Sequence, residues 1–120
     1  MRKSDTHTQS DPSAAEATRR GLAQLDLLLQ HRSRLGACVL LRGADALTFA
    51  RLRDLLDETD GNLGANLRKL EDAGYLSVRK EFVDRKPTSW YALTARGLKA
   101  LRDHLAALEM IIDNSRGNGG

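Results

Sequence analysis

The chain is short of several residue types at once, and each shortage closes off a class of chemistry. It has one cysteine among its 120 residues, which excludes an internal disulfide and any cysteine-cluster zinc site and makes a reducing compartment the simplest setting. Its three histidines, His7, His31 and His104, have no H-E-x-x-H spacing, and no phosphate-binding glycine loop is present. Asp57 to Asn62 resembles a calcium loop only superficially, because Thr59 and Gly61 stand where oxygen-rich Asp or Asn is required. No metal, no cofactor and no enzymatic activity are therefore expected. A run of about 18 apolar residues is missing, so no transmembrane helix is expected, and the first residues lack the apolar core of a signal peptide. Aromatic residues make up 4% of the chain. With Phe49, Phe82, Trp90, Tyr75 and Tyr91 mostly claimed by core or hairpin, a dedicated pocket for an aromatic ligand is not expected.

What is present suits a single small domain. A hydrophobic content of 41% over this length can bury one core. The net charge of +3 and a sequence pI near 9.4 favour a polyanionic partner. Locally the balance is closer. Between Asp60 and Trp90 the cations are Arg68, Lys69, Arg79, Lys80, Arg85 and Lys86, against Asp60, Glu71, Asp72, Glu81 and Asp84, so a positive surface depends on where side chains point.

The segment from Thr48 to Gly74, TFARLRDLLDETDGNLGANLRKLEDAG, organises the rest. Thr48 can cap a first helix, whose apolar face is Phe49, Leu52, Leu55 and Leu56. Glu58-Thr59-Asp60-Gly61 breaks it, with Thr59 or Asp60 as the next cap and a glycine tolerant of unusual backbone angles. A second helix buries Leu63, Leu67 and Leu70 and ends at Ala73-Gly74, where glycine can take the left-handed cap. Its other face carries Asn62, Ala65, Asn66, Arg68 and Lys69. Amides and cations in front of a leucine stripe suit a major groove, where Asn reads adenine edges and Arg or Lys meets guanine or phosphate. An ordinary helical hairpin with a solvated charged face is the competing reading of this stretch.

Two strands follow, Tyr75 to Val83 and Ser89 to Leu93, rich in aromatic and β-branched residues. Asp84 to Thr88 forms the connector, with Arg85 and Lys86 at its tip and Pro87 discouraging ladder pairing. A helix-turn-helix with a basic β-hairpin directly behind it is the layout of a winged helix, in which Arg85 and Lys86 reach phosphate or the minor groove.

On these residues the chain resembles the small bacterial and archaeal winged-helix regulators related to the MarR and ArsR groups. More narrowly, it is similar to stand-alone winged-helix proteins whose pattern includes DGNL (Asp60–Leu63), AGY (Ala73–Tyr75), a KEF-type strand (Lys80–Phe82), a Lys-Pro-Thr wing turn (Lys86–Thr88) and LT-x-x-G (Leu93–Gly97). The match runs from about Leu25 to Leu108. The resemblance implies a mainly α fold with a small β-hairpin (α+β), a winged helix-turn-helix extended by N- and C-terminal dimerisation helices. It also implies a strand near Ala46-Leu47 that pairs with the wing. In function it implies a homodimer on double-stranded promoter DNA, most simply a repressor, in the nucleoid-associated cytoplasm of a prokaryote. A small-molecule effector stays open. Relatives often carry Ser-Arg-His where this chain has Gly64-Ala65-Asn66, a change that removes a cation and places a glycine costing about 1 kcal/mol in the reading helix. The competing function is a winged helix that binds a protein in place of DNA.

The flanks complete the reading. Residues 1–12 form a polar tail expected to be disordered, with Arg2 and Lys3 as a weak basic arm. Ser13 to Glu16 has capping-box spacing, and the helix it opens continues through Leu22, Leu25, Leu28 and Leu29. Another helix, Arg34 to Arg42, brings Leu35, Cys38, Val39, Leu40 and Leu41 to the core, with Cys38 as a packed thiol. Thr94 caps a final helix over 95–113, in which Leu98, Leu101, Leu105, Leu108 and Ile112 follow the rhythm of a coiled-coil seam and suggest dimerisation. Packing of that stripe onto the same domain is the alternative. His104 sits beside it, expected solvated or hydrogen-bonded. The functional domain thus spans 13–113, and 114–120 is a second polar tail.

Overall fold

A computed structural model describes residues 12–117. Apart from Pro12, the tail expected over residues 1–12 lies outside the described residues, as do 118–120. Contacts divide the chain into two compact units, Asp26–Arg102 and the pairing of residues up to Leu25 with those from Asp103 onward.

The larger unit begins where the first helix was expected to continue. Helix α1 (Pro12–Gln24) stops, and Leu27–Gln30 forms a separate 3₁₀ turn. Asp26 is the cause: its carboxylate accepts from the Leu28 amide at 2.8 Å, a local bond that competes with helix continuation. His31 acts similarly, its Nδ1 accepting from the Ser33 amide at 3.1 Å, so α2 (Arg32–Arg42) starts earlier than Arg34. Strand β1 (Leu47–Thr48) follows.

The helix-turn-helix comprises α3 (Phe49–Leu56) and α4 (Asp60–Asp72). Thr48 caps the first, its hydroxyl accepting from the Arg51 amide at 3.1 Å. Thr59 caps the second by the same bond to the Asn62 amide at 3.1 Å. The break differs in one respect from the expectation. Gly61 lies inside the first turn of α4, and the left-handed residue is Asp57, at φ 54°. Aspartate tolerates that conformation better than most side chains.

Leu52, Leu63, Leu67 and Leu70 are buried, together with Leu29, Ala37, Cys38, Leu41, Leu76 and Leu101. Each buried leucine contributes roughly 1.5–3 kcal/mol. Leu55 and Val39, expected inside, are 44% and 46% exposed. At about 100° per residue, Phe49, Leu52 and Leu56 share one arc of α3 and Leu55 falls on its far flank, while Val39 lies one step past buried Cys38.

Strands β2 (Leu76–Val83) and β3 (Lys86–Leu93) are joined by Asp84-Arg85 alone. The expected longer connector is therefore corrected: Lys86, Pro87 and Thr88 pair with Val83, Phe82 and Glu81. Both turn residues have positive φ, 52° and 66°, as in a type I′ hairpin. Proline is tolerated in this ladder for a geometric reason. With Val83 and Lys86 closing the hairpin, the next pair, Phe82–Pro87, is a non-hydrogen-bonded one. The proline nitrogen thus points away from β2, and β1 ends at Thr48, opposite Trp90, short of it. The sheet order is β1-β3-β2.

Thr94 ties the base of this hairpin together. Its hydroxyl donates to the Gly74 carbonyl at 2.6 Å and accepts from the Gly97 amide at 3.0 Å, starting α5 (Ala95–Gly117). A Cβ on Gly97 would stand 2.2 Å from the Tyr75 carbonyl oxygen, so only glycine fits. Gly74 takes the left-handed cap at φ 82°.

In the smaller unit, α1 packs antiparallel against the distal part of α5: Thr18 meets Asn114 at 3.4 Å, and a Cβ on Gly21 would lie 2.9 Å from Ile111 Cγ1 and 3.4 Å from the Ala107 carbonyl. Helix α5 continues through Asn114 to Gly117, where a tail was expected. Its buried line also differs from the expected seam. Leu101, His104 and Ala107 are buried, Leu98, Leu105 and Leu108 are half-buried, and Ile112 is exposed. Leu101 is thus consumed within the chain itself and is not available to a partner.

Candidate nucleic-acid interface

Because Leu63, Leu67 and Leu70 anchor α4 to the core, the opposite face of the helix is turned outward. Asn62, Ala65, Arg68 and Lys69 are exposed there. Asn66 is not. It is 8% exposed, its Oδ1 accepts from Arg34 Nη1 at 2.7 Å, and its Nδ2 donates to the Asn62 carbonyl at 3.0 Å. Its placement as an outward-facing base reader is therefore corrected. The helical wheel carried a hint, since Asn66 lies beside the leucine stripe, directly before Leu67; its partner Arg34 could not be inferred from spacing.

Arg85 and Lys86 are exposed at the wing tip. Between α4 and the wing lies a hollow of about 500 Å³, walled by Gly64, Ala65 and Arg68 on one side and by Val78, Lys80 and Tyr91 on the other. Open space surrounds the Cα of Gly64, where a Cβ would meet nothing within 4 Å, so packing does not require this glycine. Phe49 stands at the rim, its ring 6.5 Å from that of Tyr91. Burial, and then Glu71, raise the Tyr91 pKa above its ordinary value.

The charges sort themselves by position. Arg53 is paired with Asp60 at 3.0 Å and Asp54 at 3.3 Å, which neutralises the acid at the start of α4. Arg79 pairs with Glu81 and lies 5.8 Å over the Trp90 ring. Among the described residues Arg68, Lys69, Lys80, Arg85 and Lys86 enter no ion pair. Glu71, Asp72 and Asp84 enter none either, so the near balance of the sequence becomes a modest excess of unpaired cations on helix and wing.

Cys38 stands apart from this surface. Burial, with Asp26 adding to it, pushes its thiol up to about 12, so no thiolate is present at neutral pH.

Over residues 33–112 the sequence matches the family described as winged helix DNA-binding domain. The chain belongs to that family. The winged helix is similar to a transcriptional regulator homologue from Pyrococcus horikoshii, with 28% identity and a TM-score of 0.72 over 82% of this chain and 95% of the other. It shares its fold with a MarR transcriptional regulator from Methanosarcina mazei (19% identity, TM-score 0.61, 84% and 75% of the two chains). It is also similar to an uncharacterized protein from Methanocaldococcus jannaschii, 27% identical over 68% of this chain and 88% of that one. Among the described residues, no helix is long and apolar enough to cross a membrane.

Proposed function

We propose that this winged helix is a sequence-specific transcriptional regulator that occupies promoter DNA as a homodimer and represses by blocking polymerase. One observation carries the reading: α4 and the wing wall a common hollow, to which each contributes a cation outside any ion pair, Arg68 and Lys80, against the single acid Glu71. Asn62, Ala65, Arg68 and Lys69 face the major groove, and Arg85 and Lys86 the flanking backbone. Two copies of α4 in a symmetric dimer read half-sites about 34 to 36 Å apart. Exposed Leu22 on α1 and Ile112 on α5 support an outward-facing dimer contact in the smaller unit.

Fluorescence anisotropy over a salt series, with a duplex from upstream of the protein's own coding region and a scrambled control, tests this. Tighter binding to the first duplex, with steep loss of affinity as salt rises, is the expected result. Feeble binding to both, with no salt dependence, favours a winged helix that binds a protein.

A further inference from the structure

Alternate residues of a strand share a face, so the side of the wing turned toward α4 carries a defined series of cross-strand pairs. From base to tip they are Leu76–Leu93, Val78–Tyr91, Lys80–Ser89 and Phe82–Pro87. Val78, Tyr91, Lys80 and Ser89 line the hollow. Phe82 stands beyond it, 76% exposed, where a ring of that size ordinarily finds cover. Its partner Pro87 faces it in a non-hydrogen-bonded pair, the kind that brings side chains closest. Lys80 follows on the same face and Arg85 at the turn, both outside any ion pair, while Lys86, paired with Val83, lies on the opposite face near the tip. The nearby acids are Asp84 and Glu81, and Glu81 is held by Arg79.

A stiff apolar projection with cations on either side of it along the wing fits an array of stacked apolar bases between two rows of phosphates. We propose that Phe82 is a wedge that enters the minor groove beside the sequence read by α4 and unstacks one base step there. This rests on the DNA-binding reading above. Lys80, Arg85 and Lys86 hold the phosphates on either side, and the ring takes the place of a neighbouring base, so the duplex kinks toward the major groove. Pyrimidine–purine steps unstack most readily. The wing therefore confers a preference for such a step in the flank without any hydrogen bond to a base.

The probe is a duplex selected from a random library by the full chain, with dyes at both ends and 2-aminopurine placed successively through the flanks. Wild type is expected to bring the ends closer and to raise 2-aminopurine fluorescence at one flanking step. Phe82→Ala, whose thermal midpoint stays unchanged because the ring is exposed, keeps the same core preference and salt slope, binds on the order of tenfold more weakly, and shows neither signal. Phe82→Leu retains both signals in part. Neither signal in wild type, or both in Phe82→Ala, overturns the wedge while leaving DNA binding intact. Failure to select any duplex overturns both readings and assigns the exposed ring to a protein contact.

Discussion

Arg34 holds helix α4 from behind: one guanidinium nitrogen donates to Asn66 Oδ1 and another to the Leu28 carbonyl, each at 2.7 Å. Asn66 passes the constraint on through its bond to the Asn62 carbonyl. The turn of α4 that presents Asn62 is thereby tied both to α2 and to the 3₁₀ turn. Asn66→Ala leaves Arg34 Nη1 without its acceptor, while Nε keeps the Leu28 carbonyl, and costs about 1–3 kcal/mol of stability, read by urea denaturation. Sequence preference is expected to stay the same, with any loss of affinity following the loss of stability. A changed preference at full stability would return Asn66 to the groove.

Gly64→Ala stabilises the protein by about 0.5–1 kcal/mol, because α4 gains helix propensity and the new methyl meets open space. Thermal or urea unfolding measures the gain. A loss would mean that the backbone at Gly64 needs a freedom that the helix does not show.

At the wing tip a non-glycine residue sits at φ 66°. Arg85→Gly removes a strain of about 1 kcal/mol, so the hairpin becomes more stable. If Arg85 contacts phosphate as proposed, the slope of log affinity against log salt falls by about one. Lys86→Ala lowers the slope similarly, with no gain in stability. Changes at Arg85 or Lys86 that altered the core sequence preference but left the slope alone would reverse the assigned roles of helix and wing.

Alkali is expected to unfold the larger unit through two groups that the fold keeps protonated. Burial raises Cys38 from 9.0 to about 12; burial, followed by the hydrogen bond it donates to Asp26, raises Tyr75 from 10.0 to about 12. A raised folded pKa means that the stabilisation is complete below the ordinary value and disappears as pH climbs through the folded one. Stability therefore declines from about pH 9 toward about pH 12. Tyr75→Phe flattens the upper part of that decline, and thiol reagents label Cys38 only as the protein unfolds. Rapid labelling of the folded protein at neutral pH would contradict the burial of the thiol.

Leu22→Asp combined with Ile112→Asp is expected to turn a dimer into a folded monomer. Both side chains are exposed in the single chain, by 56% and 48%, so the fold tolerates the charges while an apolar contact does not. Light scattering after size exclusion reads the mass, and circular dichroism checks the fold. A dimer that survives both charges places the contact elsewhere.

Much of the fold was legible because its causes lie close together along the chain. Thr48, Thr59 and Thr94 each bond an amide three residues on, the leucines of α4 repeat at the helical period, and Gly74 ends that helix with a left-handed residue. Such features are fixed by local sterics and hydrogen-bond reach, which spacing records. The family motifs acquired their reasons only in three dimensions. Gly97 is required by a carbonyl on Tyr75, Tyr75 donates to Asp26, and Asn66 is consumed by Arg34; none of these pairings leaves a periodicity to read. The hairpin tip is not legible from spacing, because Pro87 is harmless only when its nitrogen faces an empty edge, which depends on ladder register and on where β1 stops. The stripe of α5 was legible as apolar, yet burial of Leu101 within the chain and exposure of Ile112 depend on what the rest of the chain brings alongside. Residue types and their spacing thus set the elements and the chemistry they carry, whereas tertiary packing decided which side chains are left facing outward, because exposure is a property of neighbours distant in sequence.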